Sequence, residues 1–340
     1  KGCRKRDYPP TISPQQPWWE FNKPAEDRMA RSAMLSSQGR YGAELLVIHP
    51  QESVYIDLQH GGQGPQETYV KRYEDLLKII QTLQDHHRDY DFGDEQILAD
   101  IGKVTDGQLH VGQMSYDCIV IPSMATIRPT TLALIEQLID AGGKVIIADH
   151  LPQCVEGLPN DETLKTLKNK AIFTPVTALA QQLAEIKTPA VKLAGQMSDQ
   201  VWIHRRIVDG KPLVMLLNRN RLHTINITVT IQNLTDPICF NPTTNQVHAV
   251  NEPIALELAP AQTLFIGDGS LCPDEQRDSM PASKGAAITS MDLAGKWQLK
   301  RNSPNSLTLD FASISKDGGK TFSEYEPVLA IHERMTRDQW

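Results

Sequence analysis

The stretch of this 340-residue chain richest in reactive and binding side chains is its first twenty positions. Arg4, Lys5, Arg6, Asp7 and Tyr8 are followed by Gln15, Gln16, Trp18, Trp19 and Glu20. Indole rings stack on the C–H faces of sugar rings, and Arg, Asp and Gln grip paired hydroxyls. Arg4, Arg6, Asp7, Tyr8, Gln16, Trp18 and Trp19 are therefore the candidate substrate-binding set, for a carbohydrate. The same tryptophans would also serve to anchor a Pro-rich loop on a neighbouring domain, with its charges in solvent.

Other chemistries have spacing requirements of their own. A dinucleotide site needs a Gly-rich turn directly after the first strand, but Gly61, Gly62 and Gly64 come too late. There is no P-loop. A nucleophile elbow needs Ser or Cys flanked by Gly, whereas Ser123 sits between Pro122 and Met124. His49 ends the first predicted strand, where open α/β sheets bind ligands, and also suits a loop-packing role. His86 and His87 are adjacent at a helix end, which is not a metal-ligand spacing. Asp310 and the 315–320 turn have oxygens for calcium, but Lys316 and Lys320 flank the turn. Asn226 and Asn233 head glycosylation triplets. No metal or cofactor is assigned to this chain.

The five cysteines are far apart and form no CxxC pair, which argues against zinc. Cys118 lies in the apolar run CIVIP and reads as a buried thiol, while a Cys239–Cys272 disulfide is allowed but not required. The net charge of -7 argues against a general nucleic-acid binder, which needs a basic face. No apolar run approaches the ~20 residues that span a bilayer. The chain opens KGCRKRDYPP, without Met or an apolar leader, and closes ERMTRDQW after strand-like segments. Both ends read as cuts in a longer protein.

The elements that must carry these residues follow from periodicity. Residues 1–40 are a Pro-rich loop and one helix, 24–38, with Pro24 in its first turn and Gly39 past its end. Residues 41–190 alternate strand and helix: AELLVIHP, a helix through TYVKRYEDLLKIIQTLQDHH, YDFGDE, QILADIGK, QLHVG, SYDCIVIP, a helix from Pro129 to Gly142, and KVIIAD. Tyr69, Tyr73, Leu76, Leu77, Ile80 and Leu83 are expected to share the buried face of the first long helix. The order predicts a doubly wound parallel sheet. Residues 191–268 predict a small β-sandwich, with Asp209-Gly210 turning a hairpin and WIHRR giving an exposed or interface face. Residues 269–290 read as a linker, and 291–340 as the start of another β-domain, with Asp317-Gly318-Gly319 as a turn.

Several blocks recur in one order: RKRDYPPTISPQQPWW, AELLVIHPQESVY, YDFGDEQIL with MSYDCIVIP, AGGKV, VWIHRR with LLNR, and DLAGKWQL with NSLTLDFASIS. On these the chain resembles the α-L-rhamnosidase-like glycoside hydrolases, large bacterial enzymes. The resemblance covers nearly the whole chain. It implies a (β/α)-barrel upstream of Lys1 that carries two catalytic glutamates and an associated calcium. Residues 1–40 would be that barrel's closing loop and last helix. The 41–190 unit would be flavodoxin-like or amidotransferase-like and structural, and 291–340 the start of a galactose-binding-like sandwich. The implied reaction is inverting hydrolysis of α-L-rhamnosides by an acid and a base carboxylate. The implied partners are a rhamnose-containing glycan and the chain's own barrel, and the implied location is periplasmic or extracellular.

No carboxylate pair here is assigned to catalysis; Glu26 and Asp27 suit a first helical turn. Two readings stand. Either the chain is the accessory portion of a glycoside hydrolase, inactive alone, or it is a non-catalytic carbohydrate-binding or scaffolding protein. An independent α/β hydrolase or amidotransferase ranks below both.

Overall fold

The computed structural model describes residues 18–58, 66–272, 310–337 and a few isolated positions between 277 and 300; of 66–69 only the backbone is described. Most of the expected linker, 273–276 and 279–290, and the strand-like stretch 301–309 lie outside the described residues. The chain divides into two compact units, 1–281 and 282–340.

The first unit opens with helix α1 (Lys23–Ser36), which has Pro in its first turn as expected. The residue after it, Gly39, has φ +55°, and a Cβ there would lie 2.0 Å from the Ile207 carbonyl oxygen. Only glycine lets the chain pass so close. Strand β1 (Arg40–Tyr41) follows, then β2 (Leu45–Ile48). Next come α2 (Gln51–Asp57), α3 (Gln66–Asp85), β3 (Tyr90–Gly93) and α4 (Glu95–Ile101). A short meander, β4 (Lys103–Thr105), β5 (Gln108–Val111) and β6 (Met114–Tyr116), leads into β7 (Cys118–Ile121). After it run β8 (Thr126–Ile127), α5 (Pro129–Asp140), β9 (Lys144–Ala148), β10 (Cys154–Val155), β11 (Leu158–Pro159), α6 (Lys165–Lys170), β12 (Ile172–Thr174) and α7 (Leu179–Ile186).

Five of these strands form a parallel sheet in the order β12-β9-β7-β2-β3. Counted along the chain, the order is 2-1-3-4-5. The apolar runs are continuous because both faces are covered. Successive side chains of a strand point to opposite faces. Accordingly Leu46, Ile48, Ile119, Ile121, Val145 and Ile147 meet α4 and α5 through Leu98, Leu132, Ile135 and Leu138. Leu45, Val47, Cys118, Val120, Ile146 and Ala148 meet α3 and α7 through Ile79, Leu83, Leu179 and Leu183. The result is three layers, helix on sheet on helix.

The buried face of α3 is the expected one only in part: Leu83 and Leu76 lie on it, Tyr73 and Leu77 do not. Ile79 and Leu83 are fully buried, whereas Tyr73 is 53% and Leu77 42% exposed. The inner face carries polar groups that the apolar pattern could not register: Asp75 is buried and Arg72 is ion-paired beneath the helix.

The antiparallel part continues with β13 (Val191–Ala194), β14 (Val201–Val208), β15 (Lys211–Asn218), β16 (Ile225–Ile231), β17 (Pro237–Asn241), β18 (Gln246–Ala249), β19 (Ile254–Leu258) and β20 (Thr263–Asp268). Sheets β13-β16-β19 and β1-β14-β15-β20-β17-β18 share one core, including Val214, Leu216, Ile227, Val229, Leu258 and Ile266. This is a sandwich, and β1 joins its larger sheet from outside the 191–268 span. Asp209 and Gly210, at φ 48° and 79°, turn the β14–β15 hairpin. Asn218, fully buried, ties the end of β15 down: its Nδ2 donates to the carbonyls of His223, Leu258 and Ala259, each at 3.0 Å. Cys118, Cys154 and Cys239 are free thiols, so Cys239 is not bonded to Cys272. Burial pushes Cys118 and Cys239 up to about 12.

In the second unit, β21 (Phe311–Ala312) pairs antiparallel with β22 (Glu326–Pro327), and helix α8 (Val328–Arg337) follows. The strand-like ending expected from sequence is thus a helix. Ile331 lies buried on it while Glu333, Thr336 and Arg337 face outward, a helical rather than an alternating pattern. In the 315–321 turn, Asp317 accepts from the Thr321 hydroxyl at 2.6 Å, from the backbone N–H of Lys320 and Thr321 and from the Ser315 hydroxyl. Those donors, Thr321 first, hold its carboxyl well below the usual range. Its oxygens close its own turn, which explains the residue without calcium.

Candidate functional site

Of the predicted substrate-binding set, Arg4, Arg6, Asp7, Tyr8 and Gln16 lie outside the described residues. Trp18 and Trp19 stand at the entry to α1. Trp19 begins a single 3-10 turn to Phe21, closed by Phe21 N–H on the Trp18 carbonyl at 2.9 Å. Trp18 is 38% and Phe21 76% exposed, so the turn presents aromatic surface to solvent.

In an open α/β sheet the place to look for a ligand is the point where strand order reverses, at the carboxyl ends of the strands. Here that point lies between β2 and β7, and the protein's own side chains occupy it. α2 starts one residue after His49 and Pro50. Ser53 is fully buried; its Oγ accepts from the backbone N–H of Ala125 at 3.0 Å and Thr126 at 3.2 Å, and donates to the Thr126 carbonyl at 3.3 Å. Both N–H groups are thus engaged within the protein. Arg72 pairs with Asp57 at 2.6 Å and donates to the Ser123 carbonyl at 2.9 Å. Arg128 pairs with Glu52, and its N–H donates to buried Glu95 at 2.8 Å. The Ser123 hydroxyl is buried with no hydrogen-bond partner among the described residues, so no base activates it. His49 packs edge-on to Phe92, and the rings of His86 and His87 bond the carbonyls of Thr82 and Ser198.

A cleft of about 330 Å³ opens between β3, at the sheet's edge, and the first half of β14. Asp89 lies at its base, 6% exposed. Its Oδ1 accepts the Tyr41 hydroxyl at 2.9 Å and its Oδ2 the Arg205 N–H at 3.0 Å. Burial pushes the carboxyl up to about 7, against those two hydrogen bonds. Burial, and then the charge of Asp89, lifts the Tyr41 phenol far above its usual value. Tyr41 stacks on His204, centroids 4.9 Å apart. Nearby, Tyr116 donates to Asp91 at 2.6 Å. Arg88 and Glu44, both buried, face each other at 3.8 Å, and Glu44 accepts the Ala190 N–H at 3.0 Å.

A buried carboxyl titrating near neutrality is the usual mark of a general acid. Asp89 does not qualify, because both its oxygens are held by protein donors out of reach of a substrate oxygen. It is a joint between the α/β layers and the sandwich. The arginines of WIHRR serve the same joint: Arg205 donates to the Gly42 carbonyl at 2.6 Å, and Arg206 to the carbonyls of Gln38 and Gly39 at 2.7 Å. Among the described residues no cluster of His, Cys, Asp or Glu is placed to hold a metal, and no helix is long and apolar enough to cross a membrane.

No protein-family model and no curated protein matches the chain. Solved structures do match its fold. One is a rhamnosidase from Novosphingobium sp. PP1Y, at 14% identity and TM-score 0.54, over 84% of this chain and 27% of that one. Another is a beta-galactosidase from Bacillus circulans sp. alkalophilus, at 10% identity and TM-score 0.51, over 74% of this chain and 44% of that one. The chain has a glycoside-hydrolase-like fold. It spans about a quarter of the rhamnosidase and less than half of the galactosidase.

Sequence reasoning missed the cleft. Tyr41, Asp89, Asp91 and His204 carry no mutual spacing; the fold assembles them from three distant segments. The one available signal was the D-Y-D-F run of 89–92, which puts two carboxylates on one side of a strand and two aromatics on the other.

Proposed function

We propose that this chain is the accessory, structural portion of a glycoside hydrolase that cleaves α-L-rhamnosides or related glycosides. The observation that carries this reading is the occupied reversal point between β2 and β7. A sheet of flavodoxin-like strand order whose ligand position is filled by Ser53, Asp57 and Arg72 supports a packing role rather than a catalytic one. The fold likeness to the Novosphingobium rhamnosidase, over most of this chain and a minor part of that one, favours the same assignment.

On this reading the acid and base carboxylates belong to a barrel outside the chain. They would stand about 6.5–9.5 Å apart, with an attacking water between base and sugar. The parent's calcium would go with that barrel. Arg4, Arg6, Asp7, Tyr8, Gln16, Trp18 and Trp19 would reach into its substrate cleft, and the second unit would begin a galactose-binding-like domain. The substrate would be a rhamnose-containing glycan, met in the periplasm or outside the cell.

The test is an assay of this chain alone on aryl α-L-rhamnosides, together with a titration by flavin mononucleotide. Neither turnover nor flavin binding is expected. Sustained hydrolysis by the isolated chain would place catalytic carboxylates within it, and stoichiometric flavin binding would show the reversal point to be open; either overturns the reading.

A further inference from the structure

We propose that the cleft between β3 and β14 binds one neutral sugar ring of a glycan without cleaving it. The choice of ligand rests on the glycan-processing reading above; the shape and chemistry of the site stand on their own.

At about 330 Å³ the cleft is at the small end of ligand pockets, the size for a single ring rather than a chain. Its walls are aromatic and fixed. Phe92 is 45% exposed on the edge strand, a large apolar face in solvent with Tyr90 edge-on to it at 5.5 Å and His49 at 5.3 Å. The Tyr41–His204 stack lines the cleft as well. Rings held this way lose little entropy on binding and present flat faces to C–H groups.

The polar groups match hydroxyls. Asp91 gives one oxygen to Tyr116, and its other oxygen has no hydrogen-bond partner among the described residues. The Gln84 side-chain amide is likewise unengaged, with a donor and an acceptor to offer. The sandwich sheet adds backbone. Antiparallel strands alternate the side on which each residue shows its peptide groups. Arg205 turns its N–H to Asp89 and its carbonyl to Gly42 N–H, away from β15. Ile203, two residues earlier, therefore shows its N–H and C=O on the same side. β1 ends opposite Arg206 and does not cover it.

Charge selects the ligand class. Arg88 also lines the cleft, but it is 4% exposed and ion-paired at 3.8 Å with Glu44, its buried Nη1 making no hydrogen bond among the described residues. Asp89 is engaged by Tyr41 and Arg205, which leaves Asp91 as the accessible carboxylate of the lining. One acceptor carboxylate binds a polyol and repels an acidic sugar.

The experiment titrates the 340-residue chain with methyl α-L-rhamnopyranoside, methyl β-D-galactopyranoside and galacturonate, followed by two-dimensional amide NMR. Saturable shifts of residues 84–92 and 202–204 are expected for at least one neutral glycoside, with a dissociation constant on the order of 1 mM, and weaker binding for galacturonate. Phe92→Ala and Gln84→Ala, both on accessible side chains, are expected to weaken binding about tenfold with unchanged melting temperature, and Phe92→Tyr to restore it. No saturable shift with either neutral glycoside, or binding indifferent to Phe92→Ala, overturns the proposal. That failure leaves the accessory reading intact, whereas turnover by the chain would sink the accessory reading and leave the sugar site standing.

Discussion

The Tyr41 hydroxyl donates to Asp89 Oδ1 across 48 positions of sequence, joining the strand that enters the sandwich to the strand at the sheet's edge. Removing that donor leaves a buried acceptor one bond short. Tyr41→Phe is expected to cost about 1–3 kcal/mol, read as a lower urea midpoint. An unchanged midpoint would mean the seam is held elsewhere.

The same carboxyl gives the chain a pH dependence. An unfolded aspartate titrates near 3.9, and Asp89 in the fold at about 7. Between those values the folded state keeps a proton that the unfolded state releases. Stability from this group is full below about pH 4, falls as pH rises to about 7, and is level above. The loss is up to about 4 kcal/mol. Asp89→Asn cannot ionise, and denaturation midpoints measured from pH 4 to 8 should lose this slope while the wild type keeps it.

Much of this architecture was legible in advance. The runs LLVI, CIVI and VIIA could only be strands buried on both faces, and INITVTI, with its strict alternation, only a strand buried on one. The Asp-Gly turn announced its hairpin. What escaped had weak local signals. β12 is three residues long with Phe173 half in solvent, so nothing in its pattern marks the fifth strand of a sheet. α2 follows a proline and precedes a Gly-rich stretch, which reads as loop. Ser53 looks like any exposed serine until two backbone N–H groups from 72 and 73 positions away are brought onto its hydroxyl.

The filled reversal point makes its own prediction. Ser53→Ala strips the N–H groups of Ala125 and Thr126 of their acceptor and should cost about 1–3 kcal/mol. Arg72→Ala leaves Asp57, whose side chain is 8% exposed, without its cation. A loss of about 3–5 kcal/mol is expected. Both are read from urea unfolding curves; a neutral Arg72→Ala would show that this corner is open to water.

In the sandwich, Asn218 holds three carbonyls with one amide nitrogen. Asn218→Leu, close in volume, should destabilise by at least about 2 kcal/mol and speed amide exchange at Ala261 and Gln262, in the loop just after the carbonyls it holds. Retained protection there would show that the loop is rigid without it.

The clasp of Arg206 on the carbonyls around Gly39 spans 168 positions. A ribosome makes α1 early and β14 late, at roughly 5–20 residues per second. The first helix therefore waits on the order of ten seconds or more for the strand that holds it. During that wait the helix that carries Met29 and Met34, both exposed even in the finished fold, lacks the strand that later clasps it. A helix in that position depends, while it waits, on a chaperone or an already folded surface.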